Sequence, residues 1–269
     1  MISHAILASL FSALVWLVVI GALFKRKKMA SAVAILLFSV PLLMGNLYYY
    51  GWVSPAREKQ AEIDAAAAHL AQLPVWRTVK KQQPLLFQQA QDELIGHLEA
   101  GMPQQQAIEH LRPLVADLLN QRINAARDQD LINYMQVSLE QMKQIRQRGP
   151  EPCFRFLFPQ VKGGVNVSEL VPKTLAEQEL QAMDVLLTHS NGIEQPVDLK
   201  QGRVQLQAVV RQLYARWGSD LQTLNTPAEA GVNEAKLCDM TIDLYQSVLA
   251  LTGKDSANVL RIIISGTGN

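Results

Sequence analysis

Apolar residues dominate the first 52 positions and form two nearly unbroken runs, Ile2–Phe24 and Met29–Trp52. Each run exceeds the roughly 20 residues that an α-helix needs to cross the hydrocarbon core of a bilayer. Too few residues separate the runs for anything but a tight turn. The pattern therefore predicts a transmembrane hairpin over residues 1–52, with spans at about 3–24 and 29–52.

Four consecutive basic residues separate the two runs and predict their orientation: Lys25, Arg26, Lys27 and Lys28. Short basic loops stay in the cytoplasm, because moving several cations through hydrocarbon is costly. We expect a cytoplasmic loop at 25–28 in a bacterial inner membrane, with the N-terminus and residues 53–269 outside the cytoplasm. A cleaved signal peptide fits less well, since these charges come after the first apolar run instead of preceding it.

After Trp52 the apolar residues recur at three- and four-residue steps, which is typical of amphipathic helices. Helix start signals precede several of these stretches, among them Ser54–Pro55, Asp128 and Asp198. About eight helices joined by short links predict an all-α, extracytoplasmic (periplasmic) domain over residues 53–269. An irregular segment in the middle predicts two lobes, at 75–149 and 174–265.

The segment from Pro150 to Pro172 lacks the helical pattern and contains several aromatic and glycine residues. We expect a loop or a short β-hairpin near 153–167. One interpretation is that its phenylalanine rings fill the space between the lobes. The other is a partner-binding loop, with these candidate contact residues: Phe154, Arg155, Phe156, Phe158, Gly163 and Gly164.

Cys153 and Cys238 are the only two cysteines of the chain. Outside the cytoplasm an isolated pair of this kind favours a disulfide, although two buried free thiols are the alternative. A disulfide would close the long loop between residues 153 and 238. In the chain-entropy model this would stabilise the fold by at most about 4.5 kcal/mol.

Charge limits the partners of residues 53–269. All 24 acidic residues of the chain lie there, together with every basic residue outside the tetrad, so this part is slightly acidic. Without a basic patch, nucleic acid is not expected as a partner. The sequence indicates another protein at the outer face of the membrane, in addition to the lipid bilayer, and does not indicate a small molecule.

Residue patterns for catalysis or metal binding are sparse. Glu93 and His97 share a helix face, and Glu109–His110 lies on the next helix, so these four side chains could form a metal site if the two helices were antiparallel. Such pairs are usually solvated, and neither a His-Glu-x-x-His nor a Gly-x-Ser-x-Gly motif occurs. We predict no catalytic residue, no metal site and no cofactor.

These features favour an interaction protein without catalysis, a membrane-anchored helical module that binds another protein. An immunity protein and an accessory subunit of an envelope or secretion complex both match the pattern. The alternative is an envelope hydrolase with a dispersed carboxylate and histidine site.

Overall fold

The computed structural model describes residues 14–22, Lys25 and 31–265. These ranges contain helices, turns and bends but no β-strand, which confirms the predicted all-α class. The chain forms two compact units that divide between Ala65 and Ala66. The suggested split of the second unit into lobes at 75–149 and 174–265 stays a prediction.

The first unit is built from consecutive helical segments. Residues 14–22 are helical, and α1 (Ser31–Tyr48) continues through a π-helical segment, Tyr49–Val53, into α2 (Ser54–Leu70), which extends into the second unit. Where the structure describes burial in this unit, Ile20 and Ile63 are the buried apolar residues and most others are exposed. The hydrophobic core therefore lies in the second unit.

The predicted transmembrane hairpin and its inner-membrane localisation are wrong. Among the described residues, no helix combines the length and the apolarity that crossing a membrane requires. Within the described residues α1 runs from Ser31 to Tyr48, with Pro41 inside it, and changes to π-helical geometry at Tyr49. Arg26, Lys27 and Lys28 lie outside the described residues, as does most of the first predicted span.

The second unit contains twelve further α-helices in its described residues, numbered in chain order. They are α3 (Pro74–Gln82), α4 (Pro84–Glu99), α5 (Gln104–Glu109), α6 (Arg112–Arg122), α7 (Asp128–Arg148), α8 (Pro150–Leu157), α9 (Pro159–Lys162), α10 (Val167–Leu170), α11 (Lys173–His189), α12 (Leu199–Trp217), α13 (Glu234–Leu249) and α14 (Gly253–Ser265). A 3-10 helix, Gly218–Asn225, lies between α12 and α13.

The long helix α7 organises the core of this unit. It packs against α8, α11, α13 and α14, so apolar side chains on several of its sides are covered. Its buried residues recur at helical spacing, as predicted, and include Leu131, Met135, Leu139 and Met142. The helix ends at Arg148 and is followed by Gly149, whose positive φ of 137° favours glycine.

The segment from Pro150 to Pro172 is largely helical, so the predicted loop or β-hairpin near 153–167 is wrong. Pro150 and Pro159 occupy first-turn positions of α8 and α9, where the missing N–H of proline costs nothing. The sequence pattern indicated a helix end at Gly149 and Pro150, and α7 does end there, at Arg148. It did not indicate the short helices that Pro150 and Pro159 begin.

Other helix boundaries agree only in part with their sequence signals. Pro113 predicts a split helix, and α5 and α6 are indeed separate. Pro74 predicts a helix end, but it begins α3. The predicted start at Thr226–Pro227 is wrong, because α13 begins at Glu234, where the Asn233 side chain accepts a hydrogen bond from the backbone N–H of Lys236.

Candidate functional site

A cavity of about 430 Å³ lies within the second unit, between α6, α7, α8, α11, α13 and α14. Its wall combines apolar side chains with polar residues, among them Arg112, Tyr134, Ser138, Glu179, Thr241 and Tyr245. Ala116 and Asn120, one turn apart on α6, line the cavity and are exposed. They therefore mark the side that opens to solvent.

Glu179 is the central polar residue of the wall. Its carboxylate accepts a 2.8 Å hydrogen bond from Arg112 and a 2.9 Å hydrogen bond from the amide of Gln141. The Glu179 side chain is almost fully buried, and Gln141 is completely so. Because a buried carboxylate is costly without partners, this pairing explains how α11 tolerates a glutamate on its packed face.

Arg112 also faces a second carboxylate. Its guanidinium lies 3.6 Å from Glu109, one turn earlier in the chain. Burial raises the pKa of Glu109; Arg112 opposes this effect and the neighbouring Glu179 adds to it. Burial alone would lower the pKa of Arg112, but Glu179 and Glu109 outweigh it and raise the value. The guanidinium is therefore a fixed cation shared by two acids.

Two tyrosines add neutral polar groups to the wall. Tyr134 hydrogen-bonds with Ser138, one turn further along α7, and burial raises its pKa to about 12. Burial also raises the pKa of Tyr245 on α13. Both phenols therefore stay protonated at neutral pH and can donate hydrogen bonds. The hydroxyl of Thr241 already donates to the carbonyl of Leu237 at 2.8 Å.

Apolar side chains form the rest of the wall. Met135 and Met142 contribute from α7, and Leu244 and Ile264 contribute from α13 and α14. Methionine is flexible and polarisable, so it adapts to ligands of irregular shape. This part of the wall suits an apolar or aromatic group.

The predicted partner-binding residues separate into two groups. Phe156 and Phe158 line the cavity, whereas Phe154 is buried in a neighbouring cluster with Leu237 and Met240. Arg155 donates a 2.7 Å hydrogen bond to the carbonyl of Gly164. Gly163 has a positive φ of 72°. The structure thus brings two of the six candidates to the cavity, and the partner-binding role of all six stays a prediction.

The predicted disulfide between Cys153 and Cys238 is confirmed. Both residues are fully buried, with their Cα atoms 6.1 Å apart. The bond joins α8 to α13. Both helices contribute side chains to the cavity, so the disulfide fixes two of its walls relative to each other.

The four residues considered as a metal set are brought only partly together. The rings of His97 and His110 lie 5.0 Å apart between centroids. Glu93 accepts a hydrogen bond from Gln89, and Glu109 is paired with Arg112. Within the described part of the chain, no three potential metal-ligating side chains are grouped closely enough to hold an ion.

Glu179 is absent from the predicted site residues, although the sequence contains a signal for it. Leu175, Glu179 and Met183 are spaced four residues apart, so the glutamate occupies the apolar face of α11. Ser138 and Gln141 similarly lie among the buried residues of α7. Polar residues on a buried helix face are candidates for a functional site or a structural ion pair.

Comparison with known proteins gives no relative: no family model, no curated protein and no solved structure matches the chain. The class of the protein is therefore defined by its fold and its site. It is an all-α protein whose second unit surrounds a partly polar cavity.

Proposed function

We propose that this chain acts by binding, without catalysing a reaction, and that the cavity between α6, α7, α8, α11, α13 and α14 receives a small molecule. The cavity carries this proposal. Its volume of about 430 Å³ falls in the range of ligand sites, and its wall is mainly apolar with a few convergent polar groups. Sites of this kind commonly lie between the helices of bundles.

The state of the polar groups favours binding over catalysis. Glu179, the carboxylate of the wall, is engaged by both Arg112 and Gln141, so it is poorly placed to accept a proton from a substrate. No histidine lines the cavity within the described residues. The hydrolase alternative therefore gains no support from this geometry.

The proposal can be tested by extracting the purified full-length chain with organic solvent and analysing the extract by mass spectrometry. Ala116→Phe places a ring at the exposed side of the cavity and should hinder access. Ala215→Phe is the matched control, because Ala215 is exposed on α12 and does not line the cavity. We expect a compound that accompanies the wild type and Ala215→Phe but is depleted in Ala116→Phe.

Equal amounts of every extracted compound in the three proteins, or no compound in any of them, would contradict the proposed cavity function. Melting temperatures of the three proteins should be compared, since misfolding would also remove a ligand. Asn120→Phe, at the other exposed lining position, provides a second obstructing variant.

A protein partner, as indicated by the sequence, is the second candidate. One observation favours it: Leu199, Val210 and Tyr214 are exposed on α12 and fall within about 60° of one another around the helix axis. Exposed apolar residues grouped on one side of a helix are typical of protein interfaces.

Crosslinking in cell extract tests the second candidate. Tyr214→Asp should abolish capture of a partner that the wild type retains. Gln212→Asp, a control on the same helix, should capture it normally. Identical capture by all three proteins would exclude α12 as the interface.

A further inference from the structure

We infer that the cavity selects an uncharged, amphipathic ligand, which places a hydrogen-bonding end near Tyr245 and Tyr134 and an apolar end near Met135, Met142 and Phe156. This inference rests on the proposed function, because it names the class of molecule that the same cavity would take. Three features of the wall support it.

The first feature is charge balance. The charged residues that line the wall, Arg112 and Glu179, form an ion pair and offset each other, and Glu109, which also faces Arg112, does not line the cavity. A ligand anion would have to compete with Glu179 and Glu109 for the guanidinium. A ligand cation would have to compete with the guanidinium for those two carboxylates. Burying a charge without a partner is costly, so both kinds of ligand are disfavoured.

The second feature is the grouping of neutral polar groups. Tyr134 is close enough to Arg112, Glu179 and Tyr245 to interact electrostatically with each of them, and it hydrogen-bonds with Ser138. All five side chains line the cavity and together supply the polar part of its wall. Among the described residues, the Tyr245 hydroxyl makes no side-chain hydrogen bond and can serve a ligand.

The third feature is the apolar remainder. Met135 and Met142 are buried, and Phe156 is partly buried where it lines the cavity. A ligand that covers this apolar part of the wall removes it from water, which favours binding. A wholly polar ligand would forgo this gain, whereas a wholly apolar one would leave the Tyr245 hydroxyl unpaired.

Three fluorescent probes that share one ring system differ in the charge that they carry. At pH 7 dansylamide is neutral, dansylglycine is an anion and dansylcadaverine is a cation. Each is titrated with the full chain, and with Ala116→Phe, Asn120→Phe and the control Ala215→Phe. We expect dansylamide to bind with a Kd at least about tenfold lower than either charged probe, because only it buries no unpaired charge. Both obstructing variants should weaken its binding, while the control should not.

The outcomes distinguish the ligand class from the function on which it rests. If a charged probe binds as tightly as dansylamide and Ala116→Phe weakens both, the cavity binds ligands but the inference of an uncharged class is wrong. If no probe binds, or if neither obstructing variant weakens binding, the proposed function itself is overturned. Melting temperatures of the variants show whether a loss of binding reflects unfolding.

Discussion

Arg112 donates a 2.8 Å hydrogen bond to Glu179 and thereby joins α6 to α11 at the polar part of the cavity wall. The same guanidinium lies 3.6 Å from Glu109. One cation therefore compensates two carboxylates, of which Glu179 is almost fully buried. The two ends of this pair are not equivalent, because removal of the arginine leaves more uncompensated charge than removal of the glutamate.

Substitution at each end should reveal that difference. Arg112→Met leaves two partly or fully buried carboxylates without their cation, and should lower the free energy of unfolding by about 3 kcal/mol at pH 7. Glu179→Gln leaves Arg112 paired with Glu109, and should cost about 1 kcal/mol. Urea denaturation measures both values. Equal losses would show that Glu109 does not share the guanidinium in solution.

The disulfide should stabilise the second unit substantially. Replacing both cysteines, in Cys153→Ala/Cys238→Ala, opens a covalent loop with a sequence separation of 85 residues. The expected loss is at most about 4.5 kcal/mol of unfolding free energy, because the unfolded chain regains entropy. Urea denaturation of the double variant, with the wild type measured in the absence and presence of reductant, checks this value. Unchanged stability would mean that the bond contributes nothing to the fold.

Gly202 provides a test of the packing between α12 and α14. A Cβ at this position would lie 2.6 Å from Cδ1 of Ile262 and 3.3 Å from Cβ of Asn258. Gly202→Ala should therefore destabilise the protein by about 1–3 kcal/mol, although alanine is the better helix former. In an Ile262→Val background, which removes Cδ1, the cost should be smaller.

Gly96 is the matched control for this comparison. It is also helical, but nothing lies within 4 Å of the Cβ that alanine would add. Gly96→Ala should stabilise the protein by about 1 kcal/mol through helix propensity alone. A double-mutant cycle at Gly202 and Ile262 that gives zero coupling would contradict the close contact.

Alkaline pH should reveal the buried phenol in the cavity wall. Burial raises the pKa of Tyr134 from 10.0 to about 12. Between these values the unfolded chain releases the proton while the folded chain keeps it, so stability falls as the pH rises. Tyr134→Phe should flatten this pH dependence relative to the wild type. Denaturation curves recorded over the alkaline range up to about pH 12 check this, and a slope for Tyr134→Phe equal to that of the wild type would contradict it.

Much of the helical architecture can be predicted from local sequence patterns. The apolar spacing in α7 and the Asp198 start signal of α12 predicted helices that the structure contains. Predictions failed where one residue type has two roles. Pro74 begins a helix where only a helix end was predicted, and Pro150 and Pro159 begin helices in a segment predicted to be a loop or hairpin. Proline suits both a helix end and a helix start, and tertiary packing of the next residues decides between the two roles.

The cavity was less predictable than the helices. Its residues come from six helices and the segments between them, and no spacing in the sequence records which helices pack together. The disulfide between Cys153 and Cys238 is a long-range contact that the sequence did predict, because cysteine pairing constrains distant positions directly. Glu179 could have been singled out by its place among Leu175 and Met183, but its partner Arg112 could not.

Methyl NMR of the methionines tests ligand binding in the cavity most directly. Met135 and Met142 line the cavity, whereas Met183 and Met240 are also buried but do not line it. With ¹³C-methyl methionine in the full chain, assigned by Met→Leu substitution, dansylamide should shift the resonances of Met135 and Met142 and leave those of Met183 and Met240 in place. Shifts confined to Met183 and Met240, or no shift at saturating probe, would contradict the cavity as the binding site.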